Sequence, residues 1–70
     1  MSENISIVVN GEVREAASGA TVTELLQALG IQGGRVAIER NLQILPRVVW
    51  SETSVADGDR YEIVQFVGGG

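Results

Sequence analysis

The apolar residues of this chain permit one short helix and little else that is helical. Val22, Leu25, Leu26 and Leu29 recur at i, i+3, i+4 and i+7, which places them on one stripe of an α-helix. Ahead of them, Thr21 and Glu24 have the spacing of a capping box. The threonine hydroxyl accepts from the Glu24 N–H, and the Glu24 side chain reaches back to the Thr21 N–H. Behind them, Gly30 suits the left-handed stop, and Ile31 follows to make the apolar contact that goes with it. A helix of about nine residues has a single stripe to bury and cannot build a core alone. The rest of the core must come from strands that curl around it.

The strand signals lie on both sides of the helix. Ile5, Ile7 and Val9 alternate with Ser6 and Val8, the period of a strand with one buried face. Asn10-Gly11 tolerates positive φ at both positions and marks a tight hairpin. Glu12 to Ala16 reads as the returning strand, with Val13 expected to point inward. After the flexible Gln32-Gly33-Gly34 connection, Arg35 to Glu39 reads as a third strand with Val36 and Ile38 on one face. A turn near Arg40-Asn41 leads to a short strand, Gln43 to Leu45, which Pro46 ends because proline has no N–H for a ladder. Pro46 to Trp50 fits one turn of helix, Asp57-Gly58-Asp59 is a turn, and Tyr61 to Val67 is the last strand. The order is β-β-α-β-β-β. It predicts an α+β chain, a mixed sheet of four to five strands wrapped over one helix in the β-grasp arrangement. The first and last strands then lie parallel at the centre. Residues 1–67 form that domain and residues 68–70 a flexible glycine tail.

The composition removes most catalytic chemistry. The 70 residues contain no cysteine and no histidine, and all five basic residues are arginine, so lysine is absent too. That excludes thiolate chemistry, imidazole acid–base work and Schiff-base formation, and it leaves no side chain for isopeptide conjugation. Carboxylates, arginines and Tyr61 remain, and no catalytic or metal-ligating residue is expected. The net charge of −4 opposes binding to nucleic acid. No apolar run is long enough to cross a bilayer, and Met1 to Asn4 has neither part of a secretory leader, so a cytoplasmic location is the expectation. Asp57 and Asp59 lack the further ligands of a calcium loop. Trp50 is expected to plug the space beneath the Pro46 turn, and Arg40 and Arg47 to sit on a solvated surface.

The chemistry is expected at the end of the sequence, Phe66-Val67-Gly68-Gly69-Gly70. Glycines lose the most backbone freedom on ordering and contribute no packing, so Gly68, Gly69 and Gly70 suit work done on another protein. Extended, they reach about 10 Å, enough to enter a narrow channel. The Gly70 carboxylate resists nucleophiles because of its charge, whereas its mixed anhydride with AMP has a stable leaving group. Sulfide or a persulfide then displaces AMP, leading to a thiocarboxylate. None of these steps needs a side chain from the carrier.

Over essentially its whole length the chain resembles the ThiS family, the sulfur carrier proteins of thiamine biosynthesis. The likeness rests on Val9-Asn10-Gly11, Thr21-Val22-Thr23-Glu24-Leu25-Leu26, Val36-Ala37-Ile38-Glu39-Arg40-Asn41, Ile44-Leu45-Pro46-Arg47 with Trp50, Asp57-Gly58-Asp59, and Glu62 through Gly70. It implies a ubiquitin-like fold. It also implies adenylation of Gly70 by an E1-like adenylyltransferase of the ThiF type, with ATP used by that enzyme and no cofactor on the carrier. Sulfur would come from a cysteine desulfurase or related donor and pass to a thiazole synthase of the ThiG type. Many members end in two glycines where this chain has three. Phe66, Val67, Leu42 and Ile44 are candidates for the face that docks on a partner. Three other readings remain open at this point: the small subunit of molybdopterin synthase or another thiocarboxylate carrier, a ubiquitin-like protein modifier, and a passive interaction domain.

Overall fold

The computed structural model describes residues 3–31 and 35–66. Its elements follow the expected order. Strands β1 (Asn4–Val9) and β2 (Glu12–Ala17) form the opening hairpin, and helix α1 (Val22–Ala28) follows. Strands β3 (Arg35–Arg40) and β4 (Gln43–Ile44), a 3₁₀ turn at Arg47–Glu52, and strand β5 (Arg60–Phe66) complete the chain. They make one five-stranded sheet in the order β2-β1-β5-β3-β4, in which β5 is central and β1 lies beside it in parallel. The remaining pairs are antiparallel.

The helix forms as its sequence dictates. Thr21 and Glu24 complete the capping box, with each side chain accepting from the other residue's N–H. At the other end Gly30 has φ +77°, its N–H donates to Gln27 O, and the Ile31 N–H donates to Leu26 O. These are the two bonds of a Schellman stop. Val22, Leu25 and Leu26 are buried against Ile7 and Val9 of β1, Ile38 of β3, Tyr61 and Ile63 of β5, and Trp50 and Val55. Trp50 is the expected plug, buried and donating from Nε1 to Leu45 O at 2.9 Å. The start of α1 is pinned by backbone bonds from Val22 N to Thr53 O and from Val55 N to Ala20 O.

Two expectations are corrected. Val13 points outward and is exposed. The two-residue turn sets Val9 opposite Glu12, so Val13 faces Val8 on the outer side of the sheet, while Glu12, Arg14 and Ala16 share the inner face. Strand β2 is an edge strand, and only Ala16 of this inner set packs against the core cluster. Arg40 is no solvated surface residue either. Its Nε donates to Asp59 Oδ2 at 2.9 Å, with 30% of its side chain still exposed.

Asp59 is the centre of that arrangement and does more than turn the chain. The same Oδ2 accepts from the Tyr61 hydroxyl at 2.8 Å and the Ala56 N–H at 2.9 Å, while Oδ1 accepts from Asn41 Nδ2. Burial pushes the Asp59 carboxyl up, but the Ala56, Tyr61, Arg40 and Asn41 donors outweigh it and hold it below the usual carboxylate value. Burial, with Asp59 beside it, pushes the Tyr61 phenol up to about 12.

The signs of the pH effects follow. A carboxyl whose pKa falls on folding contributes stability above its unfolded value of about 4, and this is lost as pH drops through the folded value. A phenol whose pKa rises contributes stability below about 10, lost as pH climbs toward the folded value. Asp59→Asn is expected to cost about 2–4 kcal/mol at neutral pH and to flatten the acid limb of the stability curve. Tyr61→Phe should flatten the alkaline limb. Urea titrations across pH check both, and an unchanged acid limb in Asp59→Asn would count against this account.

Candidate functional site

Side chains alternate across β5, so Tyr61 and Ile63 enter the core while Arg60, Glu62, Val64 and Phe66 line the opposite, outer face. Partners directly across the ladder share that face. Arg35 stands beside Phe66, Ala37 beside Val64, and Glu39 beside Glu62, with Ile44 next to Glu39. The result is a continuous surface on which apolar groups are interleaved with carboxylates and two arginines. No helix covers it among the described residues. Phe66, Val64 and Ile44 remain 54%, 51% and 69% exposed.

Of the docking residues named from the sequence, Phe66 and Ile44 therefore lie on one face, with Leu42 in the β3–β4 turn that leads to Ile44. Val67 lies outside the described residues, as do Gly68, Gly69 and Gly70. Sequence reasoning missed Val64 and Ala37. Val64 was legible, because it sits two positions from Phe66 on the same strand and must share its face. Arg47, expected on a solvated surface, is exposed and stacks over the Trp50 ring at 5.1 Å, on the helix side of the molecule.

Leu42 stands out energetically. Among the described residues two hairpin turns are of the same kind, each with two successive left-handed residues. In the first they are Asn10 and Gly11, with φ of 50° and 83°. In the second they are Asn41 and Leu42, with φ of 51° and 70°. Leucine thus occupies the position that glycine fills at lower cost, and its left-handed backbone carries about 1–2 kcal/mol of strain. It recovers nothing by packing, being 91% exposed. An apolar side chain held at such cost without internal contacts is available for a contact outside the chain.

The described residues hold no cluster of three or more aspartates or glutamates placed to bind a metal. None of the described helices is long and apolar enough to cross a membrane. Asp57 and Asp59 are engaged in holding the fold, Asp57 accepting from the Ser6 N–H and Asp59 from its four donors.

A mixed sheet that grasps one helix, with parallel first and last strands and an open outer face, defines a ubiquitin-like β-grasp protein. The chain belongs to the ThiS family, whose model matches residues 7–70. The crystal structure of the thiamine biosynthesis protein ThiS from Geobacter metallireducens superposes with a TM-score of 0.79 and 39% identity, covering 94% of this chain and 100% of that one. The sulfur carrier protein ThiS of Escherichia coli is 36% identical over 66 residues, which are 94% of this chain and 100% of that protein. A thiazole synthase of Paramagnetospirillum magneticum is 46% identical over 66 residues, but the match spans only 20% of its length. The chain therefore corresponds to about a fifth of that longer relative.

If Leu42 serves no internal purpose, Leu42→Gly should leave the free protein as stable as before or up to about 1 kcal/mol more stable. Leu26→Ala, in the core, should cost about 2–5 kcal/mol. Chemical denaturation of both variants provides the check. A loss of more than about 1 kcal/mol in Leu42→Gly would show that the leucine supports the fold.

Proposed function

We propose that this protein is a sulfur carrier of thiamine biosynthesis and that it works through the α-carboxylate of Gly70. The family match over residues 7–70, which runs through the three glycines, carries this reading. The composition agrees with it. A chain without cysteine, histidine or lysine offers no thiolate, imidazole or side-chain amine. A carrier needs none of them, because its partners supply the catalysis.

The Gly70 carboxylate attacks the α-phosphorus of ATP on an E1-like adenylyltransferase, releasing pyrophosphate and forming the acyl adenylate. A persulfide on a cysteine desulfurase or related donor adds through its outer sulfur to the activated carbonyl and expels AMP. A second thiol of the partner then attacks the donor-side sulfur of the acyl disulfide, leaving a disulfide on the partner and releasing the thiocarboxylate. The thiocarboxylate that results is a nucleophile at neutral pH, and a thiazole synthase takes its sulfur. ATP belongs to the activating enzyme, and the carrier holds no cofactor. The protein acts as a co-substrate, not as an enzyme. The relative named thiazole synthase supports the choice of acceptor, since it contains a stretch similar to this chain within a protein of several times the length. Joining two functions in one polypeptide raises their effective concentration for each other, which is useful when one must hand a reactive group to the other.

The outer face suits the docking step. Phe66 and Val64 lie just ahead of the glycines, and Ile44 with Leu42 extends the apolar contact to the far edge of the sheet. A partner that buries these groups holds the carrier by its sheet while the chain end reaches the active centre. Leu42→Gly should weaken binding to the activating enzyme several-fold without loss of stability.

The direct test is intact and fragment mass spectrometry after co-expression with an E1-like enzyme and a desulfurase. The expected product has one oxygen replaced by sulfur, located on Gly70 and absent when Gly70 is deleted. Localisation is needed because oxidation of Met1 or Trp50 shifts the mass by nearly the same amount. An unmodified Gly70 in the presence of demonstrably active partners would overturn the proposal.

A further inference from the structure

Strand β1 stops before its parallel neighbour does. The β1–β5 pairing runs from Val8 opposite Arg60 to Val9 opposite Tyr61, and the Asn10 N–H donates to Tyr61 O at 2.9 Å. The hairpin then turns away, while β5 continues to Phe66. Beyond Tyr61 no described strand lies along this edge of β5.

The side chain of Asn10 takes the strand's place. Its Nδ2 donates to Ile63 O at 3.0 Å, and its Oδ1 accepts from the Ile63 N–H at 2.7 Å. A carboxamide carries the same donor and acceptor as a peptide group, so this pair of bonds extends the ladder by one residue without any backbone. Ile63 lies opposite Ile38 of β3 on the other side. It is thus the last residue of β5 that the described structure holds along both edges. From there to Phe66, among the described strands, only β3 accompanies β5.

We propose that Asn10 is a positioning residue for the reacting C terminus. It fixes the heading of β5 at Ile63, and with it the course on which Val64 to Phe66 run along β3 toward Gly70. The proposal rests on the sulfur-carrier reading, in which the Gly70 carboxylate must meet a nucleotide in another protein. A reaction of that kind is sensitive to small errors of aim. Asn10 also has a second task, since its left-handed backbone starts the hairpin turn. Both tasks demand a short carboxamide. Glycine would make the turn but not the clamp. Aspartate tolerates the turn and can accept from Ile63 N–H, but it sets a second carboxylate oxygen against Ile63 O.

The test compares wild type, Asn10→Gly, Asn10→Asp and Val55→Ala in ATP–pyrophosphate exchange on an E1-like adenylyltransferase. All four are assayed at a temperature where each is folded by circular dichroism. Val55 is a buried core residue away from the chain end, so its truncation controls for lost stability alone. Asn10→Gly and Asn10→Asp are expected to lower kcat about tenfold with KM for the carrier nearly unchanged, because the docking face is intact and only the aim is lost. Val55→Ala should keep the wild-type kcat. Amide exchange should rise from Ile63 to Phe66 in the Asn10 variants. Wild-type kcat in Asn10→Gly would overturn the positioning role while leaving the carrier reading in place. No exchange with wild type itself, on an enzyme active toward its own carrier, would remove the carrier reading and the proposal together.

Discussion

The fold turns on one buried carboxylate. Asp59 is 5% exposed and accepts from Arg40, Asn41, Ala56 and Tyr61. Those donors come from the end of β3, the turn that follows it, the turn before β5, and β5 itself. Its own carbonyl meanwhile accepts from the Val8 N–H of β1. One residue thereby brings the three central strands into alignment at the point where β5 begins. A charge so placed costs several kcal/mol to desolvate and is tolerated only because both carboxylate oxygens have donors, three on Oδ2 and one on Oδ1. Arg40, with 30% of its side chain exposed, is partly screened by solvent, so the hydrogen bonds carry most of the effect.

From that fixed start, β5 divides the molecule into two sides with different physics. On the inner side, a helix of seven residues, Trp50 and Val55 cover Tyr61 and Ile63. So short a helix covers the central strands, and β2 at the edge keeps Glu12 and Arg14 on its inner face. On the outer side no described residue covers Val64 and Phe66, which stay 51% and 54% exposed, and a leucine sits strained and exposed at the β3–β4 turn. The stability of the domain resides on one side. The surface available to a partner lies on the other, continuous with the strand that leads to the glycines.

Much of this was legible in the residues. The helix, its two caps, the Asn10-Gly11 turn, the Trp50 plug and the parallel central pair follow from local chemistry and element order. The orientation of Val13 was also within reach, because a two-residue turn sets the register by counting. Arg40 and Asp59 were not. Nothing in their local sequence states that a turn aspartate and a strand arginine 19 positions apart will meet in a buried site. Asn10 was legible as a turn residue and illegible as a clamp, since its partner at Ile63 lies 53 positions away.

The sequence by itself determined what can be settled between near neighbours: the periods, the caps, the turns, and the absence of any cysteine, histidine or lysine. These depend on sterics and hydrogen bonds within a few residues, so they travel with the sequence wherever it folds. Only the tertiary structure decided which face of β5 stays open, where Asp59 finds its donors, and that Asn10 grips the strand leading to Gly70. Those outcomes depend on strands meeting across long loops, and the burial that rewards such meetings exists only once the whole sheet has closed around its helix.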